Sequence, residues 1–113
     1  MTEEVIFKII LHAGNARAEA YDALRAAQAG EFIKAAEHLQ QAEKEVGAAH
    51  RVQADMIQQE AAGNKVELTL LTVHAQDHLM TALSEKNLIE SMIEMHKTIR
   101  QLSAKLEASS CQD

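Results

Sequence analysis

The chain has 113 residues and a mass of 12.5 kDa, which allows one domain with a core but not a catalytic domain plus a regulatory one. It contains no proline, four glycines, 20 alanines and 3% aromatic residues, which argues against turn-rich sandwiches and barrels and predicts an all-helical fold. The formal net charge of −6 argues against non-specific binding to nucleic acid or anionic membranes and favours a basic protein partner.

The expected core is thin. Leucine, isoleucine, valine and phenylalanine together supply 26 residues, and 16 of the 20 alanines lie between Ala13 and Ala62. Because alanine buries little apolar surface, helices rich in alanine approach closely but gain little stability from each contact. We therefore expect the folded chain to need partner chains.

The sequence also predicts a cytoplasmic location. The single cysteine, Cys111, excludes a disulfide within the chain and suits a reducing compartment. Residues 1–8 carry Glu3 and Glu4 where an export signal would be basic, and no apolar run approaches the about 20 residues that span a bilayer.

The first predicted helix covers about residues 3–29. Its apolar and alanine positions recur at spacings of three and four, while Glu19, Asp22 and Arg25 lie on other faces. Thr2 is a candidate N-cap and Gly30 a candidate C-terminal stop. The repeating positions are Ile6, Ile9, Ala13, Ala16, Ala20, Ala23 and Ala27.

The second predicted helix covers residues 31–62 and ends at Gly63-Asn64. The same spacing connects its apolar positions, with an interruption at Gln53. Only a tight turn separates it from the first helix, so the two should form an antiparallel hairpin of helices about 40 Å long. Its apolar positions are Phe32, Ala35, Leu39, Ala42, Val46, Ala49 and Met56.

The third predicted helix runs from Lys65 to about Glu107 and has larger apolar side chains. A polar interval at residues 84–87 is a candidate point of kinking or fraying, and the tail at 108–113 lacks periodicity and is predicted to be disordered. Residues 1–107 thus form the helical domain. We expect its core stripe to comprise Leu68, Leu71, Ala75, His78, Ala82, Ile89, Met92, Ile99, Leu102 and Leu106.

One dense cluster of reactive side chains lies in the third helix, at residues 73–80. His74, Asp77 and His78 are three and four residues apart and therefore share a helix face. A neutral imidazole can act as a nucleophile, a base or a metal ligand, and a nearby carboxylate can orient it or hold a cation.

Three interpretations of the cluster remain open at this point. His74 and His78 could bind zinc, although the related zinc-hydrolase motif has glutamate where Asp77 stands, and the only later histidine is His96. An exposed histidine could instead accept a phosphoryl group, which needs no pocket. The residues could also be satisfied polar groups of a surface or interface, as in a non-catalytic helical adaptor.

Three segments carry a resemblance to a known family. Residues 70–82 (LLTVHAQDHLMTA), 11–17 (LHAGNAR) and 26–32 (AAQAGEF) resemble the lactose/cellobiose-specific IIA component of the bacterial phosphoenolpyruvate:sugar phosphotransferase system. The similarity covers about residues 3–106. It implies a homotrimer of three-helix hairpins, in total a nine-helix bundle, that carries phosphate on a histidine during uptake of a disaccharide such as cellobiose, lactose or chitobiose.

The resemblance also assigns roles to the cluster. His74 would be phosphorylated by phospho-HPr and would pass the group to a cysteine of the IIB component, which serves the IIC membrane permease. His78 would support the phosphoryl group. Asp77 from each of three subunits would hold a divalent cation, for which we expect Mg²⁺, because three carboxylates around an axis repel one another.

The remaining candidates have simpler interpretations. His12, Asn15 and Arg17 lie in the LHAGNAR run, where packing of the helices around Gly14 competes with a direct role. Three further histidines are interpreted as solvated, namely His38, His50 and His96. Four methionines at helical spacing are interpreted as core rather than docking surface, namely Met56, Met80, Met92 and Met95.

Overall fold

The computed structural model describes residues 3–110 and contains, over that range, three helices and no strand. Helix α1 spans Glu3–Gln28, α2 spans Phe32–Ala61 and α3 spans Leu70–Ser110. The molecule is a rod of 73 × 20 × 20 Å. The predicted all-helical, antiparallel hairpin is confirmed. No helix in the described part is long and apolar enough to cross a membrane.

A three-residue turn joins α1 to α2 and depends on Gly30. Its φ of 81° lies in the left-handed region that favours glycine. The amide of Glu31 donates to the carbonyl of Ala26 at 2.9 Å, which satisfies a carbonyl at the end of α1. Gly30 is therefore the C-terminal stop predicted from the sequence.

Helix α3 begins at Leu70, five residues later than predicted. The backbone amide of Thr72 donates to the Thr69 hydroxyl at 3.1 Å, so Thr69 caps the first turn of the helix. Residues 64–69 form an irregular connection from Gly63, which has a φ of 94°. The predicted start at Lys65 was wrong because the apolar pattern also covers the residues before Thr69. The cap formed by the Thr69 side chain ends the helix there.

No break interrupts α3 at the polar interval 84–87. Lys86 is buried there and forms ion pairs with Glu43 of α2 and with Glu90 one turn later. These ion pairs compensate for burying the charge of Lys86, so the helix continues through the polar interval without a kink. The helix extends to Ser110, beyond the expected end near Glu107. Thr2 and Cys111 lie outside the described residues.

The core consists of two clusters and is thin, as expected. The cluster nearer the start of α1 contains the two largest fully buried side chains, Ile9 and Leu79, which are both 0% exposed. The other cluster is mainly alanine, with Ile89 and Ile93 as its buried bulk. Close approach of α1 and α2 along their alanines thus leaves α3 to supply much of the volume.

The predicted core stripe of α3 was only partly correct. It holds at Ala75, Ala82 and Ile89, but its C-terminal members are 40–72% exposed, namely Met92, Ile99, Leu102 and Leu106. Helix α3 has apolar residues on two faces, and periodicity alone does not reveal which one packs within the chain. We call the buried face the bundle face; it comprises Thr72, Ala75, Leu79, Ala82, Lys86, Ile89 and Ile93.

Candidate functional site

The two histidines of the cluster lie one turn apart near the start of α3 and stack on each other. The ring centroids of His74 and His78 are 5.8 Å apart, and the ring planes differ by 11°. His74 is exposed, whereas His78 is half-buried. The helix therefore presents one imidazole to solvent and holds a second beside it.

Helix α1 packs beneath the half-buried ring at Gly14. A methyl group added at Gly14 would lie 3.6 Å from Nε2 of His78, which is ordinary van der Waals contact. The imidazole of His78 therefore lies close to α1 at Gly14. An added methyl group would fit there, so this approach does not itself require glycine at position 14.

Asp77 lies between the two histidines in sequence and is exposed. It lies off the bundle face, which runs through Ala75 and Leu79. Among the residues that the structure describes, Asp77 takes part in no ion pair. Its carboxylate is thus open to a ligand from outside the chain.

Two polar residues of the LHAGNAR run join α1 to its neighbours. His12 Nδ1 lies 2.6 Å from a Glu45 carboxylate oxygen of α2. Arg17 donates two hydrogen bonds to Glu85 of α3, at 2.5 and 2.9 Å, and this hydrogen-bonded carboxylate raises the pKa of the guanidinium. These pairs fix the helices around the site, whereas Asn15 is exposed. The sequence contained the partners but not their pairing, which crosses 33 and 68 residues.

Outside the His74 cluster, one group of side chains has the composition of a metal site. Single ligand atoms of Glu19, Asp22 and His38 lie within 4.8 Å of one another. His38 Nδ1 is already 2.7 Å from Glu19, and Asp22 accepts a 2.5 Å bond from Arg25. The interpretation of His38 as simply solvated was wrong, because α2 places it against two carboxylates of α1.

The other candidates fall into two groups. His50 is exposed, as expected, and His96 is half-buried. Met56 is a core residue, but the core interpretation was wrong for Met80, Met92 and Met95, which are 40–57% exposed. A zinc site with three histidine ligands is not formed, because His96 follows His78 by 18 residues, about 27 Å along α3.

The antiparallel helical hairpin and the exposed histidine of the His-x-x-Asp-His cluster fit the phosphoryl-carrier class of protein that the resemblance implies. The family model described as "PTS system, Lactose/Cellobiose specific IIA subunit" matches residues 4–97. The chain belongs to this family and is a phosphotransferase component of the kind the sequence predicted.

Known relatives agree in sequence and in structure. The chain is 46% identical over 99 residues to the lichenan-specific phosphotransferase enzyme IIA component of Bacillus subtilis, covering 88% of this chain and 90% of that relative. It is 39% identical over 98 residues to the N,N'-diacetylchitobiose-specific EIIA component of Escherichia coli, covering 87% and 84%.

Two solved structures confirm the fold. The crystal structure of the cellobiose-specific enzyme IIA from Bacillus anthracis superposes with a TM-score of 0.86 at 40% identity, over 89% of this chain and 94% of that one. The IIA(Chitobiose) chain in the solution structures of an Escherichia coli IIA–HPr complex superposes with a TM-score of 0.77 at 38% identity, over 87% and 95%.

Proposed function

We propose that this chain carries the phosphoryl group on His74. In this proposal it receives the group from phospho-HPr and passes it to a cysteine of the IIB component, for uptake of a β-linked disaccharide through IIC. The observation that carries the proposal is the exposure of His74 beside the half-buried His78. A carrier must present its acceptor nitrogen to two partners in turn, and of the two histidines in the cluster His74 is the exposed one.

The chemistry needs little from this chain. The lone pair of a neutral His74 nitrogen forms a new P–N bond as the P–N bond to the HPr histidine breaks, and the HPr imidazole leaves with the electron pair. In the second step a thiolate of IIB forms a P–S bond as the P–N bond to His74 breaks, and the His74 imidazole leaves with the electron pair. Because phosphoryl transfer has a loose transition state, alignment and charge stabilisation account for most of the catalysis.

His78 has a supporting role in this scheme. Its ring is nearly parallel to that of His74, with the centroids 5.8 Å apart, and it lies close to α1 at Gly14; this arrangement favours a fixed orientation of the two rings. An imidazole held this close can also stabilise the negative charge of the phosphoryl group when it is protonated.

The two histidines form a matched pair for testing this assignment. We expect the His74→Gln variant to take no radiolabel from phosphorylated HPr, and the His78→Gln variant to take label more slowly than the wild type. Helical circular dichroism of both variants should be unchanged, since neither side chain is fully buried. Label on His74→Gln, or a complete loss of labelling confined to His78→Gln, would show that the carrier residue is not His74.

We also propose that the chain is a homotrimer with α3 at its centre. Asp77 shares a helical line with Ser84, Leu88, Met95 and Leu102, because steps of seven, four, seven and seven residues return to nearly the same angle at about 100° per residue. We call this line the outer face of α3. Leu88, Met95 and Leu102 are 55–58% exposed, so they are free to pack against other copies.

A trimer assembled along the outer face would bring three Asp77 carboxylates together. Exposed carboxylate oxygens suit a hard divalent cation, and Mg²⁺ is the ion we propose. The two positive charges of the ion would offset most of the repulsion among the three carboxylates at the axis.

Replacing the carboxylate tests the metal separately from the trimer. We expect Asp77→Leu to lose the bound divalent cation and to remain trimeric, because apolar packing replaces three repelling charges. Asp55→Leu, which alters an exposed carboxylate of α2, is the control and should keep the ion. Native mass spectrometry with metal analysis gives both readouts; an Asp77→Leu trimer that still holds one cation would contradict the assignment.

The cytoplasmic location inferred from sequence stays a prediction.

A further inference from the structure

A mixed group of carboxylates and an imidazole lies between α1 and α2, toward the turn that joins them. Glu19 and Asp22 are one helical turn apart on α1 and share a face, and α2 places His38 against both. All three are half-buried, so an ion arriving from solvent can reach them. The group is separate from the His74 cluster, because it lies between α1 and α2 and begins five residues beyond Gly14, about 7 Å along α1.

The same hairpin contains a second histidine–glutamate pair, which shows what is particular to this group. His12 Nδ1 lies 2.6 Å from Glu45, and His38 Nδ1 lies 2.7 Å from Glu19. The second pair lies seven residues further along α1 and seven residues earlier on α2, so both occupy equivalent positions in the antiparallel hairpin. Within residues 3–110, only the second pair has a third ligand in place, Asp22.

Asp22 is not needed for the hydrogen bond that joins the two helices. Glu19 and Asp22 carry like charges three residues apart on one face, an arrangement that is unfavourable in a helix unless a cation compensates it. Arg25 donates to Oδ1 of Asp22 at 2.5 Å, which leaves the other carboxylate oxygen of Asp22 available to an ion.

We propose that Glu19, Asp22 and His38 bind one Zn²⁺ ion that ties α1 to α2. Single ligand atoms of the three residues lie within 4.8 Å of one another. Zinc binds nitrogen and oxygen ligands at about 2.0–2.2 Å in a tetrahedron, which sets the ligand atoms about 3.3–3.5 Å apart. Rotations of half-exposed side chains cover that difference. An imidazole nitrogen beside two carboxylates favours zinc over Mg²⁺ and Ca²⁺, which prefer oxygen.

The surface around the three ligands leaves a path for the ion and space for a fourth ligand. Asp22 and His38 line a shallow surface depression that also contains Glu31 and Lys34. A water molecule in this depression would complete a tetrahedral site with three protein ligands. The carboxylate of Glu31 adds negative charge beside the ion, which offsets the charge of Lys34.

The ion would act where packing between α1 and α2 is weakest. In the core cluster at this end of the hairpin, the buried residues that α1 and α2 contribute are all alanine, and the larger Ile89 and Ile93 come from α3. The other cluster contains Ile9 of α1 and Met56 of α2. Because alanine buries little apolar surface, a metal ion bound by both helices stabilises the hairpin where side-chain burial contributes little.

Two histidine variants test the site against a matched control. Isothermal titration of the full chain with ZnCl₂ should show binding that His38→Ala weakens at least tenfold and His12→Ala leaves unchanged. Both variants remove a histidine–glutamate hydrogen bond between the same two helices, so a difference between them reports the ion. Zinc should likewise raise the thermal unfolding midpoint of wild type and His12→Ala, but not that of His38→Ala.

Two further variants guard against misfolding and against zinc at the other cluster. Asp22→Asn keeps the bond between His38 and Glu19 and should also weaken zinc binding at least tenfold. With both His74 and His78 changed to glutamine, binding at this site should persist. Zinc affinity that is unchanged in both His38→Ala and Asp22→Asn, or that is lost only with His74 and His78, would overturn the proposal. Neither result depends on phosphoryl transfer by His74.

Discussion

The two faces of α3 differ in what they contact and therefore in what they do. The bundle face buries Leu79 completely and holds Lys86 in ion pairs, and it joins the helix to the rest of the chain. The outer face exposes Asp77 beside His74 and then a long apolar series. A single helix thus separates the residues that stabilise one chain from those that we propose meet other copies, and substitutions on the two faces should have different consequences.

The largest expected loss of stability comes from the bundle face. Leu79→Ala should lower the free energy of unfolding by about 3 kcal/mol, because a fully buried leucine leaves a cavity that thin alanine-rich helices cannot fill. Chemical denaturation followed by circular dichroism measures the loss. Since Leu79 packs within one chain, the loss should be the same at every protein concentration.

Leu88→Ala on the outer face is the matched control. Leu88 is 58% exposed in the single chain, so its truncation should matter only where chains associate. The effect on unfolding should therefore grow with protein concentration and vanish on dilution. A loss from Leu88→Ala as large as that from Leu79→Ala in dilute protein would mean that the outer face also stabilises the single chain.

The sequence predicted the helices well because local signals fix them. The absence of proline and the three-four spacing favour helix over short stretches of chain, and Gly30 favours a stop at one position. The helices and the stop that these signals predicted were both confirmed. The start of α3 was missed because the side-chain cap at Thr69 competes with an apolar pattern that continues before it. The assignment of faces failed for a different reason: it depends on what the helix meets, and both faces of α3 are apolar.

The sequence was enough to locate the candidate site, but it did not predict which residues of the other helices surround that site. His74, Asp77 and His78 stand close together in the chain, so helical spacing was enough to group them. The approach of His78 to Gly14 and the pairing of Arg17 with Glu85 bring distant segments together. Such contacts depend on how α1 and α3 are aligned, which periodicity within either helix does not determine.

Lys86 provides a smaller test of the bundle face, through its charge. Its side chain is 7% exposed, while its partners Glu43 and Glu90 are 64% and 46% exposed. Burial lowers the pKa of the ammonium group, but hydrogen bonds to the two carboxylates outweigh burial, so the pKa is raised above 10.5. The folded protein therefore binds this proton more tightly than the unfolded chain does.

A raised pKa in the folded state fixes the direction of the pH dependence. The stabilisation from Lys86 is fully present below the unfolded-state pKa of about 10.4 and is lost as the pH rises through the higher folded value. Lys86→Met keeps a chain of similar shape in the buried space but removes the charge, and should cost about 1 kcal/mol at pH 7, since both partners remain hydrated. The difference in denaturation midpoint between wild type and Lys86→Met should be constant below about pH 10 and should shrink as the pH rises above the unfolded-state pKa. Lys97→Met removes a more exposed lysine paired with Glu94 and should show a smaller change. A wild-type advantage that does not shrink as the pH rises would assign the contribution of Lys86 to packing rather than to charge.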